Sequence, residues 1–148
     1  MDAINSKQTS GATESSVLGP FFNGAARIFE NGESITSNDI AGEPMLIRGA
    51  VLDTVGKPIP KALVDIWETD GNGFYDMQDT EYNKPDCRGK FFTDTSGKFH
   101  LKGVKPVDYP IPNDGPVGDI LKLFNRDWYR PAHVVSTPVR YIQRKQYE

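Results

Sequence analysis

Between Met45 and Val104 the chain is divided into short apolar segments separated by turn signals, and this pattern limits the folds open to it more than any other feature. MLIRGAVLD, starting at Met45, is strand-like, GKPIP is a turn, and ALVDIWET puts Leu63, Asp65 and Trp67 on one face with Val64 and Ile66 on the other. These two segments read as strands joined by a tight turn. GKFFTD and GKFHLKGV, separated by Thr95-Ser96-Gly97, read as a second such pair. A series of short strands with turns between them predicts an all-β chain folded as an antiparallel β-sandwich. The 11 prolines and 14 glycines point the same way, and only Gly118 to Phe124 (GDILKLF) offers a helical turn or two. Trp67 is expected to fill the core and His100 to be an exposed strand residue.

At 148 residues the chain has the size of one domain. Residues 1–16 are polar and rich in Ser and Thr, so a flexible arm is expected before the first apolar cluster, Val17-Leu18-Gly19-Pro20-Phe21-Phe22. Residues 23–44 read as a long connection over the surface. A net charge of -3 with mixed signs supplies no basic face for nucleic acid and no polybasic patch for a membrane. Cys87 is the only cysteine, which excludes an internal disulfide and a multi-thiolate zinc site. With no apolar leader segment and no run of about 18 apolar residues, the expectation is a soluble, cytoplasmic chain.

Three stretches carry chemistry: WETDGNGFY from Trp67 to Tyr75, PVDYPIPNDGPVG from Pro106 to Gly118, and RPAH from Arg130 to His133. Taken singly, each has an ordinary reading. Tyr75 at a strand end suits a core position, Tyr109 among prolines suits a rigid turn, Arg130 a surface charge, and His133 a hydrogen-bonded imidazole. In this order and spacing the three stretches resemble the intradiol ring-cleavage dioxygenases, and within them the hydroxyquinol and catechol 1,2-dioxygenase branch. The resemblance implies an intradiol-type β-sandwich around non-haem Fe(III), with Tyr75, Tyr109 and His133 at metal-ligand positions. It also implies catalytic roles for Tyr109 and Arg130. A substrate cavity lined by Val17, Leu18, Gly19, Pro20, Phe21, Ile111 and Pro112 follows from the same likeness. The implied partners are a small aromatic diol, dioxygen and, by the same analogy, a second copy in a homodimer. In that chemistry the diol is activated at ferric iron, Tyr109 leaves the metal as a base, Arg130 stabilises developing charge, and the ring opens to a muconate.

The likeness is interrupted at one position. The family places two histidines at i and i+2, which point to the same side of a strand, whereas here His133 is followed by Val135, whose side chain has no lone pair. The resemblance spans about Ala12 to Val134 and is truncated at both ends. The sandwich is therefore expected over 17–134 and is incomplete, and 135–148 is a divergent tail without strand alternation. Two readings stay open: an intradiol dioxygenase with three family ligands, or a catalytically inactive β-sandwich that serves as a binding or dimerising module. In a third, a tail residue (Tyr141, Tyr147 or Glu148) replaces the missing donor.

Overall fold

The computed structural model describes residues 11–13, 17–78 and 85–139, so the expected arm over 1–16 and the tail from Arg140 onward lie almost entirely outside the described residues. The elements are β1 (Ile28–Phe29), β2 (Pro44–Ala50), β3 (Leu63–Trp67), a 3-10 turn (Asp76–Gln78), β4 (Arg88–Phe92), β5 (Lys98–Val104), β6 (Tyr109–Pro110), α1 (Pro116–Leu123), β7 (Tyr129–Arg130) and β8 (Val135–Val139). One sheet has the order β1-β4-β3-β8, and β2-β5 and β6-β7 form two-stranded ribbons. The architecture is all-β, as expected.

The strand segments are where the alternation puts them, but their pairing differs. β2 pairs with β5, from Pro44 opposite Val104 to Ala50 opposite Lys98, and β3 pairs with β4 on one edge and β8 on the other. Neither expected hairpin forms, beyond an isolated bridge between Leu52 and Pro58. A turn brings two strands close but does not choose the sheet they join. In a sandwich successive strands can cross between layers, because each layer must bury one face against the other. β1 runs parallel to β4, an exception to the antiparallel pattern.

The layers meet through Val64, Ile66 and Phe91 of the larger sheet and Phe99 and Leu101 of β5, with Phe29 and Ile35 completing the cluster and Ile47, Val51 and Val134 packed against it. Phe29 and Ile35 correct the expectation that 23–44 is only surface connection. The segment after Val134, expected to lack strand character, is β8. It is held by the edge of β3, which supplies hydrogen-bonding partners that no local propensity records.

Every residue of β3 is buried, so its two faces serve two layers. Val64 and Ile66 face the sandwich core, while Trp67 belongs to a second cluster with Tyr75 and Tyr109. The strand continues into Glu68, which is 1% exposed. Its Oε1 accepts the Val104 N–H at 3.1 Å, and a side chain at Gly103 would collide with that carboxyl. Oε2 and the neighbouring Thr69 hydroxyl have no partner among the described residues. Burial pushes the Glu68 carboxyl up to about 7, against a smaller downward pull from the Val104 hydrogen bond.

The folded chain therefore keeps a proton on Glu68 that the unfolded chain releases above its ordinary value near 4.5, so this group makes stability fall as pH rises from about 4.5 to about 7 and then level off. Glu68→Gln, which cannot ionise, should match the wild type near pH 4.5 and exceed it above pH 7 by roughly 3 kcal/mol at most. Urea melts of both proteins across that range test this, and parallel pH profiles would refute it.

Candidate functional site

The loop that delivers Tyr75 is built from an Asp-x-x-Gly turn. Asp70 Oδ1 accepts the N–H groups of Asn72 and Phe74, both at 2.9 Å, while Asp70 N and O bond Phe74 O and Gly73 N. The same chemistry recurs at Asp53, which holds Val55 N and Lys57 N, and at Asp94, which holds Ser96 N and Lys98 N. In each turn the fourth residue is a glycine with positive φ: Gly56 at 82°, Gly73 at 87° and Gly97 at 73°. Gly73 carries a second constraint, since a Cβ there would lie 3.0 Å from the Tyr109 Cβ. Glycine at position 73 thus lets the loop leading to Tyr75 pass close to Tyr109.

Tyr109 comes from β6, whose register sets it opposite Arg130 of β7. His133 follows β7 and precedes β8. Around this junction Val134 packs into the sandwich core and Val135 against the Trp67-Tyr75-Tyr109 cluster. His133 and Val135 therefore share the side of the chain that faces the site.

Three donor atoms converge. Tyr75 Oη lies 3.4 Å from Tyr109 Oη and 3.5 Å from His133 Nε2, and the two phenol rings meet edge-on with centroids 5.5 Å apart. His133 Nδ1 is 2.6 Å from the Pro131 carbonyl. A carbonyl can only accept, so Nδ1 donates to it, and this bond directs the Nε2 edge of the ring toward the phenols. Distances of 3.4 and 3.5 Å are long for hydrogen bonds from a hydroxyl. Two phenols and an oriented imidazole are a suitable donor set for a hard trivalent cation. Val135 contributes apolar contact on the same side and no donor.

Tyr75 is 2% exposed. Burial raises its phenol well above the ordinary range, the Tyr109 hydroxyl adds to that, and Arg130 and Arg88 pull the other way. A bound cation reverses such a balance, because the phenolate then gains a charge partner.

The three donors belong to the wall of a cleft of about 530 Å³ lined by Val17, Leu18, Gly19, Pro20, Phe21, Trp67, Ile111, Arg130, Val134, Val135 and Ser136 as well. Phe21 stacks on the Tyr75 ring at 4.1 Å, with the planes 14° apart. The structure gathers every residue that the sequence nominates except Pro112, which is exposed and outside the lining, one residue beyond the half-buried Ile111. His100 is exposed on β5 and away from the cleft. Tyr141, Tyr147 and Glu148 lie outside the described residues. Sequence reasoning missed Arg88 and Asp76, a buried ion pair behind Tyr75. The available signal was an arginine opening the apolar strand RGKFF, opposite Trp67.

A family model described as a dioxygenase matches residues 17–139. An intradiol ring-cleavage dioxygenase (hqdA) of Aspergillus niger is 46% identical over 134 residues, covering 90% of this chain and 40% of the relative. A hydroxyquinol 1,2-dioxygenase of a Rhizobium species is 45% identical over 136 residues, covering 90% of this chain and 45% of the relative. The solved hydroxyquinol 1,2-dioxygenase of Pseudomonas putida superimposes with a TM-score of 0.83 at 42% identity, over 91% of this chain and 46% of that one. The chain thus spans less than half the length of these relatives. No helix among the described residues is long and apolar enough to cross a membrane.

Gly56 and Gly73 occupy the same position in equivalent turns, but a Cβ at Gly56 would meet nothing within 4 Å. Gly56→Ala should lose about 1–2 kcal/mol from left-handed backbone strain alone. Gly73→Ala should lose clearly more, because Tyr109 must also move. Denaturant midpoints of the two variants compare them, and equal losses would mean that Tyr109 does not constrain this turn.

Proposed function

The chain belongs to the intradiol ring-cleavage dioxygenase family, and on that premise we propose that its cleft binds a catechol-type diol, such as hydroxyquinol, for intradiol cleavage by dioxygen at a non-haem Fe(III) site held by Tyr75, Tyr109 and His133. The observation that carries this reading is the convergence of two phenol oxygens and an imidazole nitrogen at 3.4 and 3.5 Å in the wall of a cleft lined mostly by apolar side chains. Bound ferric iron would supply the Lewis acidity and redox chemistry by which a coordinated diol reacts with dioxygen.

The chain's own residues have separable tasks. The Pro131 carbonyl fixes the His133 ring, and the Phe21 stack keeps water from one face of Tyr75. Val17, Leu18, Phe21 and Ile111 form an apolar slot for a flat ring. Tyr109 is buried at the cleft wall; as the phenolate that bound iron would favour, it would accept the proton that a diol hydroxyl gives up on binding. Arg130, opposite Tyr109 on the β6-β7 ribbon, brings a guanidinium to the anionic diol. The competing reading, a non-catalytic sandwich, is favoured by one observation: Val135 occupies the site-facing position two residues after His133 and offers no donor.

Titration of the purified chain with ferric iron under anaerobic conditions should produce a tyrosinate-to-iron charge-transfer band that shifts on adding hydroxyquinol. Tyr75→Phe and Tyr109→Phe should each weaken or move it. Val135→His, which adds a direct donor, should tighten iron binding by at least about 10-fold, the lower end of what residues that only support a ligand contribute. A wild type that stays colourless at saturating iron, with colour gained only in Val135→His, would favour the non-catalytic reading.

A further inference from the structure

We propose that Arg88 is a positioning residue for this site: its guanidinium ties the cleft wall carrying Phe21 to the loop carrying Tyr75, and so holds the two rings in their stack. The inference rests on the reading of Tyr75 as a ligand and of residues 17–21 as the substrate wall.

Arg88 opens β4, where it lies opposite Trp67, and is 4% exposed. Its Nε donates to Asp76 Oδ2 at 2.6 Å and its Nη2 to Asp76 Oδ1, a two-pronged pairing with the residue directly after Tyr75. On the other side Nη1 donates to the Phe21 carbonyl at 3.0 Å and to Asn23 Oδ1 at 3.3 Å. One planar group thus spans two segments that are distant in sequence and carry the two members of the ring stack. Asp76 is held in turn by the N–H groups of Met77 at 2.9 Å and Asp86 at 3.1 Å.

Residues 17–23 belong to no strand, so no ladder of backbone hydrogen bonds sets their distance from Tyr75. The sandwich core, made by residues such as Phe29, Phe91 and Leu101, does not include Arg88. A buried ion pair adds little net stability compared with apolar side chains of the same shape, and its best-attested benefit is to select one geometry. Here the selected geometry is a face-to-face contact on a candidate metal ligand. Lysine keeps the charge but lacks the fork, so it cannot hold Asp76 and the Phe21 carbonyl together.

The test is aromatic NMR of the full chain without metal, on the wild type, Arg88→Lys and Asp76→Asn. The stack should shift the Phe21 ring protons upfield, and both variants should lose more than half of that shift while the signals of the Phe29–Phe91 core pair stay native. A Phe21 shift retained in both variants would overturn the proposal. If Arg88→Lys loses the core signals, and so fails to fold, Asp76→Asn decides by the same criterion. Ferric titration of the same proteins separates the two levels. A wild type without a charge-transfer band refutes the iron reading and leaves the NMR result standing, whereas a band unchanged in energy in the variants refutes the role of Arg88 at Tyr75.

Discussion

A five-residue strand with partners on both edges and both faces controls the rest of this structure. Leu63–Trp67 is hydrogen-bonded to β4 and β8, and it presents Val64 and Ile66 to the sandwich while Trp67 faces the candidate site. Because its side chains alternate, a one-residue slip would exchange the two sets and put Trp67 into the sandwich core. The closely packed residues on either side make that slip costly. The position of Tyr75 follows from this register, because a single Asp-x-x-Gly turn separates it from the end of the strand.

The strands that carry the site also bury polar groups that an ordinary core would avoid. Asp65 is 3% exposed beside Lys90 at 3.7 Å, Glu68 reaches across to β5, and Arg88 and Asp76 pair out of solvent. Burial raises the Asp65 carboxyl, with Lys90 and Arg88 opposing it. Such groups stabilise poorly per unit of surface removed from water, since desolvation offsets most of their attraction. They are directional, however, and each links segments that apolar packing alone would leave free to slide. Directional restraint is valuable where phenol oxygens must stay a fixed distance from an imidazole.

The donor set and the residue beside it make opposing contributions. Tyr75, Tyr109 and His133 present converging lone pairs, with the imidazole oriented by a backbone carbonyl, while Val135 lies on the same side of the chain and closes that quarter with methyl groups. Val135 adds apolar contact to the aromatic cluster and brings no donor atom. The proposed iron chemistry therefore depends on the three donors of Tyr75, Tyr109 and His133 without a fourth at position 135.

Local information was legible in the sequence wherever the physics is local. Alternation marked β2, β3, β4 and β5, turn residues marked the reversals, and the Gly-x-Tyr, Tyr-Pro and Arg-Pro-Ala-His stretches marked the residues that now line one cleft. Strand pairing was not legible, because the hydrogen bonds of β2 with β5 and of β3 with β8 join positions far apart in sequence and depend on which layer needs covering. β8 escaped notice because a Ser-Thr-Pro run has weak strand preference until the edge of β3 supplies its partners. Arg88 escaped because its role lies in contacts to Phe21 and Asp76, 67 and 12 residues away. By itself the sequence determined the four strands β2 to β5, the donor types and the missing lone pair at Val135. Only the tertiary structure decided that these donors meet, since convergence depends on distances set by packing between segments.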